Sequence, residues 1–121
     1  DRRSVLDRVL ALRSPLEQRH LAMVLDLGPL TIDMGSLQAR WEGAPLSLRP
    51  NEFRLLRFMA ENPNRVLTRQ ALIAGLGKQG SPIDERTVDV WVGRLRRALE
   101  AVGAEPPLRT VRSVGYVYDA A

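Results

Sequence analysis

Residues Asp84–Val102 read DERTVDVWVGRLRRALEAV, and the fold turns on this stretch. Wound at about 100° per residue, it places Val88, Val92, Leu95 and Leu99 on one stripe, which requires a core to lie against. Arg86, Val90, Gly93 and Arg97 fall diametrically opposite. Thr87 and Arg94 flank that outer line on one side, and Asp89, Arg96 and Glu100 on the other. Asp84 and Glu85 at the start, and Arg96 and Arg97 toward the end, suit the helix dipole. Gly103 follows as a cap, and Pro106-Pro107 bars continuation. The pattern predicts one long helix, apolar on one side and cationic on the other.

That alone describes many solvated surface helices. Asp89 and Glu100 stand at i,i+3 and i,i+4 spacings from Arg86, Arg96 and Arg97, which is ordinary helix support. Trp91 on the rim of the apolar stripe reads first as packing. The outer set nevertheless suits DNA chemistry. Arginine donates a fork of hydrogen bonds to guanine, and valine or a threonine methyl meets a thymine methyl. Arg86, Arg96 and Arg97 suit phosphates, which set register without reading sequence. Gly93 offers the groove floor a bare backbone, at roughly 1 kcal/mol of helix stability.

Working outward, Pro50 opens a helix where its missing N–H costs nothing. NEFRLLRFMAE (51–61) puts Phe53, Leu56 and Ala60 on one stripe, widened by Leu55, Phe58 and Met59, and Asn62-Pro63 stops it. Thr68 is an N-cap for a second helix, RQALIAGL, which Gly75, Gly77 and Gly80-Ser81-Pro82 end in a loop. Past the long helix, LRTVRSVGYVYD (108–119) reads as a two-stranded hairpin turning at 113–115. Its Arg112 is placed to enter a minor groove, and Arg109 to serve the backbone. Upstream, MVLDLG, LTIDMG, LQARWEG and PLSLRP are four short alternating runs, a small antiparallel meander with one face to be covered. Residues 4–13 (SVLDRVLALR) show helical spacing, and 14–22 read as a linker. Because the chain opens on Asp1, a fragment or processed chain is expected. Helix, loop, long basic helix and hairpin together outline a winged helix-turn-helix.

Composition narrows the chemistry. The chain has 121 residues, 45% hydrophobic and 26% charged, enough for one cored domain. Cysteine is absent and His20 is the sole histidine, which removes thiolate sites, disulfides and multi-histidine metal sites. No apolar run approaches the roughly 20 residues of a bilayer span, so a soluble, cytoplasmic domain without membrane contact is expected. Of the 18 basic residues only Lys78 is lysine, and the net charge is +4. Asp33, Glu52, Asp84, Glu85 and Asp89 lack the setting of catalytic carboxylates. No phosphate loop or nucleophile elbow accompanies them. No enzyme, cofactor or metal is expected.

LSLRPNEFRLLRFMAENPNRVLTRQAL, DERTVDVWVGRLRRALE and LRTVRSVGYVY, in that order, resemble the effector domain of the OmpR/PhoB family of response regulators over about Met23 to Asp119. The resemblance implies an α+β winged helix-turn-helix with an N-terminal four-stranded antiparallel sheet, three helices and a C-terminal hairpin wing. It makes residues 1–13 the remnant of a receiver domain's last helix, 14–22 the interdomain linker and 23–121 the effector domain. It implies double-stranded DNA binding at direct-repeat promoter sites as a head-to-tail homodimer. It further implies contact with RNA polymerase, at its sigma subunit, through the loop at residues 75–83. Thr87, Val90 and Arg94 match base-contacting positions. Arg69, Arg86, Arg96, Thr110 and Tyr116 match backbone-contacting or wing positions, which Arg97 joins by its place on the outer face, and Arg112 matches the minor-groove position of the wing. Gly93 stands where relatives often carry arginine, Trp91 where they carry a smaller polar residue, Gly77 where a tryptophan closes the second helix, and Ser113 where the wing turn commonly has glycine. A second reading keeps the fold and makes it a protein-interaction module that contacts transcription machinery without reading DNA sequence.

Overall fold

The structure is a computed structural model, and it describes residues 23–77 and 83–120. The expected receiver remnant (1–13) and linker (14–22) lie outside the described residues, as do residues 78–82 of the expected polymerase-facing loop.

The sheet is the expected four-stranded antiparallel meander, but its last strand is shorter and earlier than the fourth run (45–50), of which only Pro45 falls in the strand. It comprises β1 (Val24–Leu27), β2 (Leu30–Asp33), β3 (Gln38–Trp41) and β4 (Ala44–Pro45), in that spatial order. Ile32 lies opposite Ala39 in register, and both are buried with Leu30. The alternation thus gives the sheet one apolar face, and that face joins the helical core.

Helix α1 (Pro50–Glu61) begins with proline in its first turn, as the sequence predicts. Glu52 explains its start more fully. The Glu52 carboxylate is almost fully buried and accepts the Arg49 N–H at 2.9 Å, satisfying a donor the helix cannot. Phe53, Leu55, Leu56, Met59 and Ala60 form the buried stripe. Helix α2 (Arg69–Gly75) is capped by Thr68, whose hydroxyl accepts from the Ala71 N–H at 3.0 Å. Gly75 closes α2 for a reason not visible in its neighbours. A Cβ there would lie 2.5 Å from the Phe58 ring, so the glycine serves the close approach of α1.

Helix α3 (Glu85–Ala101) is capped by Asp84, whose carboxylate accepts the Arg86 N–H at 2.9 Å. At its far end Gly103, at φ +82°, gives its N–H to Glu100 O, and Ala104 gives its N–H to Leu99 O. This left-handed cap satisfies two carbonyls the helix leaves over. Val88, Val92, Leu95 and Leu99 have no exposed surface, and burying each such side chain contributes about 1.5–3 kcal/mol. Trp91 is buried as well, so it packs as expected.

The hairpin, β6 (Leu108–Val111) and β7 (Gly115–Tyr118), gains a third strand that alternation did not reveal. β5 (Leu67–Thr68) pairs with β7, giving the order β5-β7-β6. Two residues are too few for a period to show. Gly115 permits this pairing, because a Cβ there would collide with the Leu67 carbonyl. The described residues are therefore α+β: a meander, three helices and a C-terminal hairpin wing, in the winged helix-turn-helix arrangement expected.

Candidate nucleic-acid interface

The apolar stripe anchors α3, and its opposite face looks outward as the wheel requires. Arg86, Val90 and Arg97 are exposed, Val90 at 47%. Thr87, Gly93 and Arg94 are half-buried. Among the described residues the guanidiniums of Arg86, Arg97 and Arg112 have no hydrogen-bond or ion-pair partner, so their charge is available to a ligand. Arg112 sits at the wing turn with Ser113, which takes a left-handed φ of +66°, a conformation that favours glycine. The Val114 N–H closes that turn on Val111 O at 3.0 Å.

Arg94 is less free than the wheel suggests. Its Nη1 lies 3.7 Å from Glu52 Oε1, across the α1–α3 junction. Arg49, Arg94 and Arg97 there line one open cleft of about 400 Å³. The carboxylate that caps α1 thus also draws one candidate base-reading arginine toward its own side.

Four candidate backbone-contacting residues come together as a single cluster, with a fifth residue at its centre. Tyr116 Oη donates to Asp89 Oδ1, and Arg69 Nε donates to the same oxygen at 2.8 Å. The Arg69 and Arg96 guanidiniums each lie 5.7 Å from the centre of the Tyr116 ring. Arg96 Nη2 donates to Leu108 O at 3.0 Å and to Thr110 Oγ1 at 2.8 Å, which fastens α3 to the wing. Tyr116 is therefore an internal hub, only 5% exposed, with its hydroxyl already occupied.

The helix-support expectation is corrected at Asp89. It turns away from Arg86 on its own helix and engages Arg69 and Tyr116, 20 and 27 residues distant in sequence. The ion pairs formed among the described residues include none from Glu100 to Arg96 or Arg97. A carboxylate gains more from two donors aimed at one oxygen than from a flexible arginine on an exposed surface. Arg109, expected on the phosphate backbone, pairs with Asp119 at 3.0 Å with both side chains exposed.

The electrostatics follow these contacts. Burial works against the charged form of Asp89, but the bonds from Tyr116 and Arg69 outweigh it and hold the carboxyl below its ordinary value. Burial, then the bond to anionic Asp89, pushes the Tyr116 phenol up. The Asp89 bond raises Arg69, and the Asp119 bond raises Arg109. Among the described residues, no group of histidine and acidic side chains has metal-site geometry, and no helix is long and apolar enough to cross a membrane. The arrangement is one of fixed cations and donors, suited to holding a polyanion.

Comparison with known proteins agrees. Residues 43–118 match the family described as transcriptional regulatory protein, C terminal. The phosphate regulon transcriptional regulatory protein PhoB of Rhizobium meliloti (strain 1021) is 37% identical over 112 residues, covering 93% of this chain and 49% of that protein. The chain thus spans about half the length of the curated relatives it matches. Among solved structures, the AdeR DNA-binding domain in complex with an intercistronic region superposes with a TM-score of 0.67 at 32% identity. That match covers 78% of this chain and 96% of AdeR's. The Klebsiella pneumoniae RstA DNA-binding domain in complex with the RstA box gives 0.67 at 30%, covering 81% and 98%. Family match, sheet order and helix placement together make this chain a member of the OmpR/PhoB family of response-regulator effector domains, a transcription-factor family and not an enzyme family.

Proposed function

We propose that this domain binds double-stranded DNA sequence-specifically, with α3 in the major groove and the Arg112 wing tip in the adjacent minor groove. The observation that carries the reading is the outer face of α3. Arg86, Val90 and Arg97 are exposed there, on a helix whose opposite side is fully buried. In this reading Thr87, Val90 and Arg94 meet base edges, Arg94 by leaving Glu52 for the duplex. Arg69, Arg86, Arg96, Arg97 and Thr110 face phosphates, and Tyr116 acts by placing Arg69 and Arg96 rather than by touching the backbone itself. The structures of AdeR in complex with an intercistronic region and of RstA in complex with the RstA box support DNA binding by this fold.

The parent protein in this reading is a cytoplasmic two-component transcription factor, controlled by phosphorylation of a receiver domain. It binds direct-repeat promoter sites as a head-to-tail homodimer and recruits RNA polymerase at its sigma subunit through the 75–83 loop. Selection of bound duplexes from a random pool tests the core of the proposal, since it returns sequence preference and repeat spacing together. A salt titration on the selected duplex should follow. If about six phosphates are neutralised, log K falls with log[salt] at a slope of about −5. A domain that retains no duplex at low salt would instead be the interaction module.

A further inference from the structure

Gly93 stands at the midpoint of α3 on its outer line. Other glycines here have a structural reason: Gly75 yields to the Phe58 ring, Gly115 to the Leu67 carbonyl, and Gly103 holds a left-handed cap. Gly93 has none of these. Its backbone is ordinary right-handed helix, and a Cβ built on it would meet only Arg97 Nη2, at 4.0 Å. The fold has room for a side chain at 93, and glycine is the poorest interior helix former after proline.

What the glycine does create is a bare patch of backbone in the middle of the outer face. Val90 lies one turn before it and Arg97 one turn after. A helix with its side chains is about 10–12 Å across and the major groove about 12 Å wide. Clearance is therefore small, and the outermost side chain decides how deep the helix seats. We propose that Gly93 is a specificity-determining position: its missing side chain lets the α3 backbone seat against the base-pair edges, so that Val90 and Arg94 reach their bases. This rests on the reading of α3 as the major-groove helix.

Phosphate contacts are long and flexible, so a non-specific complex does not need deep seating. The effect of filling the patch should appear on the preferred site alone. Gly93→Ala and Gly93→Gln in the 121-residue chain test this. Alanine is the better helix former, so Gly93→Ala should melt roughly 2–8 °C higher. It should bind the duplex selected by the unmodified domain about 3- to 10-fold more weakly. The larger Gly93→Gln should lose about tenfold or more, with a scrambled duplex bound by both variants within about twofold of the original affinity.

Three results overturn the proposal. They are Gly93→Ala binding the selected duplex as tightly as before, Gly93→Ala weakening both duplexes alike, and Gly93→Ala failing to raise the melting temperature, which would show that the fold itself uses the glycine. If the unmodified domain shows no preference in the selection, the major-groove reading fails first and this inference goes with it.

Discussion

Replacing Tyr116 by phenylalanine removes one oxygen and leaves the ring between its two arginines. The lost bond is that from the phenol to Asp89 Oδ1. A hydrogen bond to a charged acceptor contributes about 1.5–3 kcal/mol when buried. The Asp89 side chain is 41% exposed and keeps its bond from Arg69, so water and screening replace part of the loss. The expected destabilisation at pH 7 is about 1–1.5 kcal/mol, or roughly 4–10 °C in melting temperature. The pH dependence carries the sharper test. Asp89 titrates below its ordinary value in the fold, so its contribution is complete above the unfolded carboxylate value of about 3.9 and drains as pH falls through the folded one. Without the phenol the folded value rises, and the variant loses this contribution at a higher pH. Melting curves from pH 7 to pH 2 should therefore show a gap between the two proteins that holds down to about pH 4 and closes below it. A gap that stays constant, or no gap at pH 7, refutes the assignment of Tyr116 as a donor to an ionised Asp89.

Leu95→Ala, at a position with no exposed surface, should cost about 2–5 kcal/mol in a urea titration; an unaltered transition would mean the α3 stripe is wrongly oriented. Arg94→Ala should weaken binding to the selected duplex by roughly 1–3 kcal/mol and relax preference at one base pair, and unchanged discrimination in a repeat selection would remove Arg94 from the reading set. Gly115→Ala should destabilise the domain by about 1–3 kcal/mol by forcing β5 from β7. Amide exchange at Thr68 and Tyr116 would report that separation, and unchanged protection there would contradict it.

The extent to which the sequence disclosed these features follows from the range of the interactions behind them. Val88, Val92, Leu95 and Leu99 were legible because one helix turn brings them together, and a period of 3.6 survives in any linear reading. Pro50, Thr68 and Gly103 were legible because caps act over three or four residues. β5 was not, since two residues carry no period. Gly75 reads as a helix stop until the Phe58 ring is seen lying on it. The cluster at Asp89 stayed hidden for the same reason. Its donors come from α2 and β7, and local spacing offered Arg86 as the nearer partner. Arg94 pointed outward on the wheel, yet a carboxylate from α1 reaches it.

β7 is shared: one edge pairs with the wing strand β6, the other with Leu67–Thr68, and Thr68 caps α2. Arg96 then ties α3 to β6. The turn at Arg112 and the face of α3 are thus two jaws of one gauge with no free joint between them. In the proposed mode, a duplex gripped by both has to match that opening by its own groove width and bend. Flexible steps between the gripped positions would then influence binding at base pairs that no side chain touches.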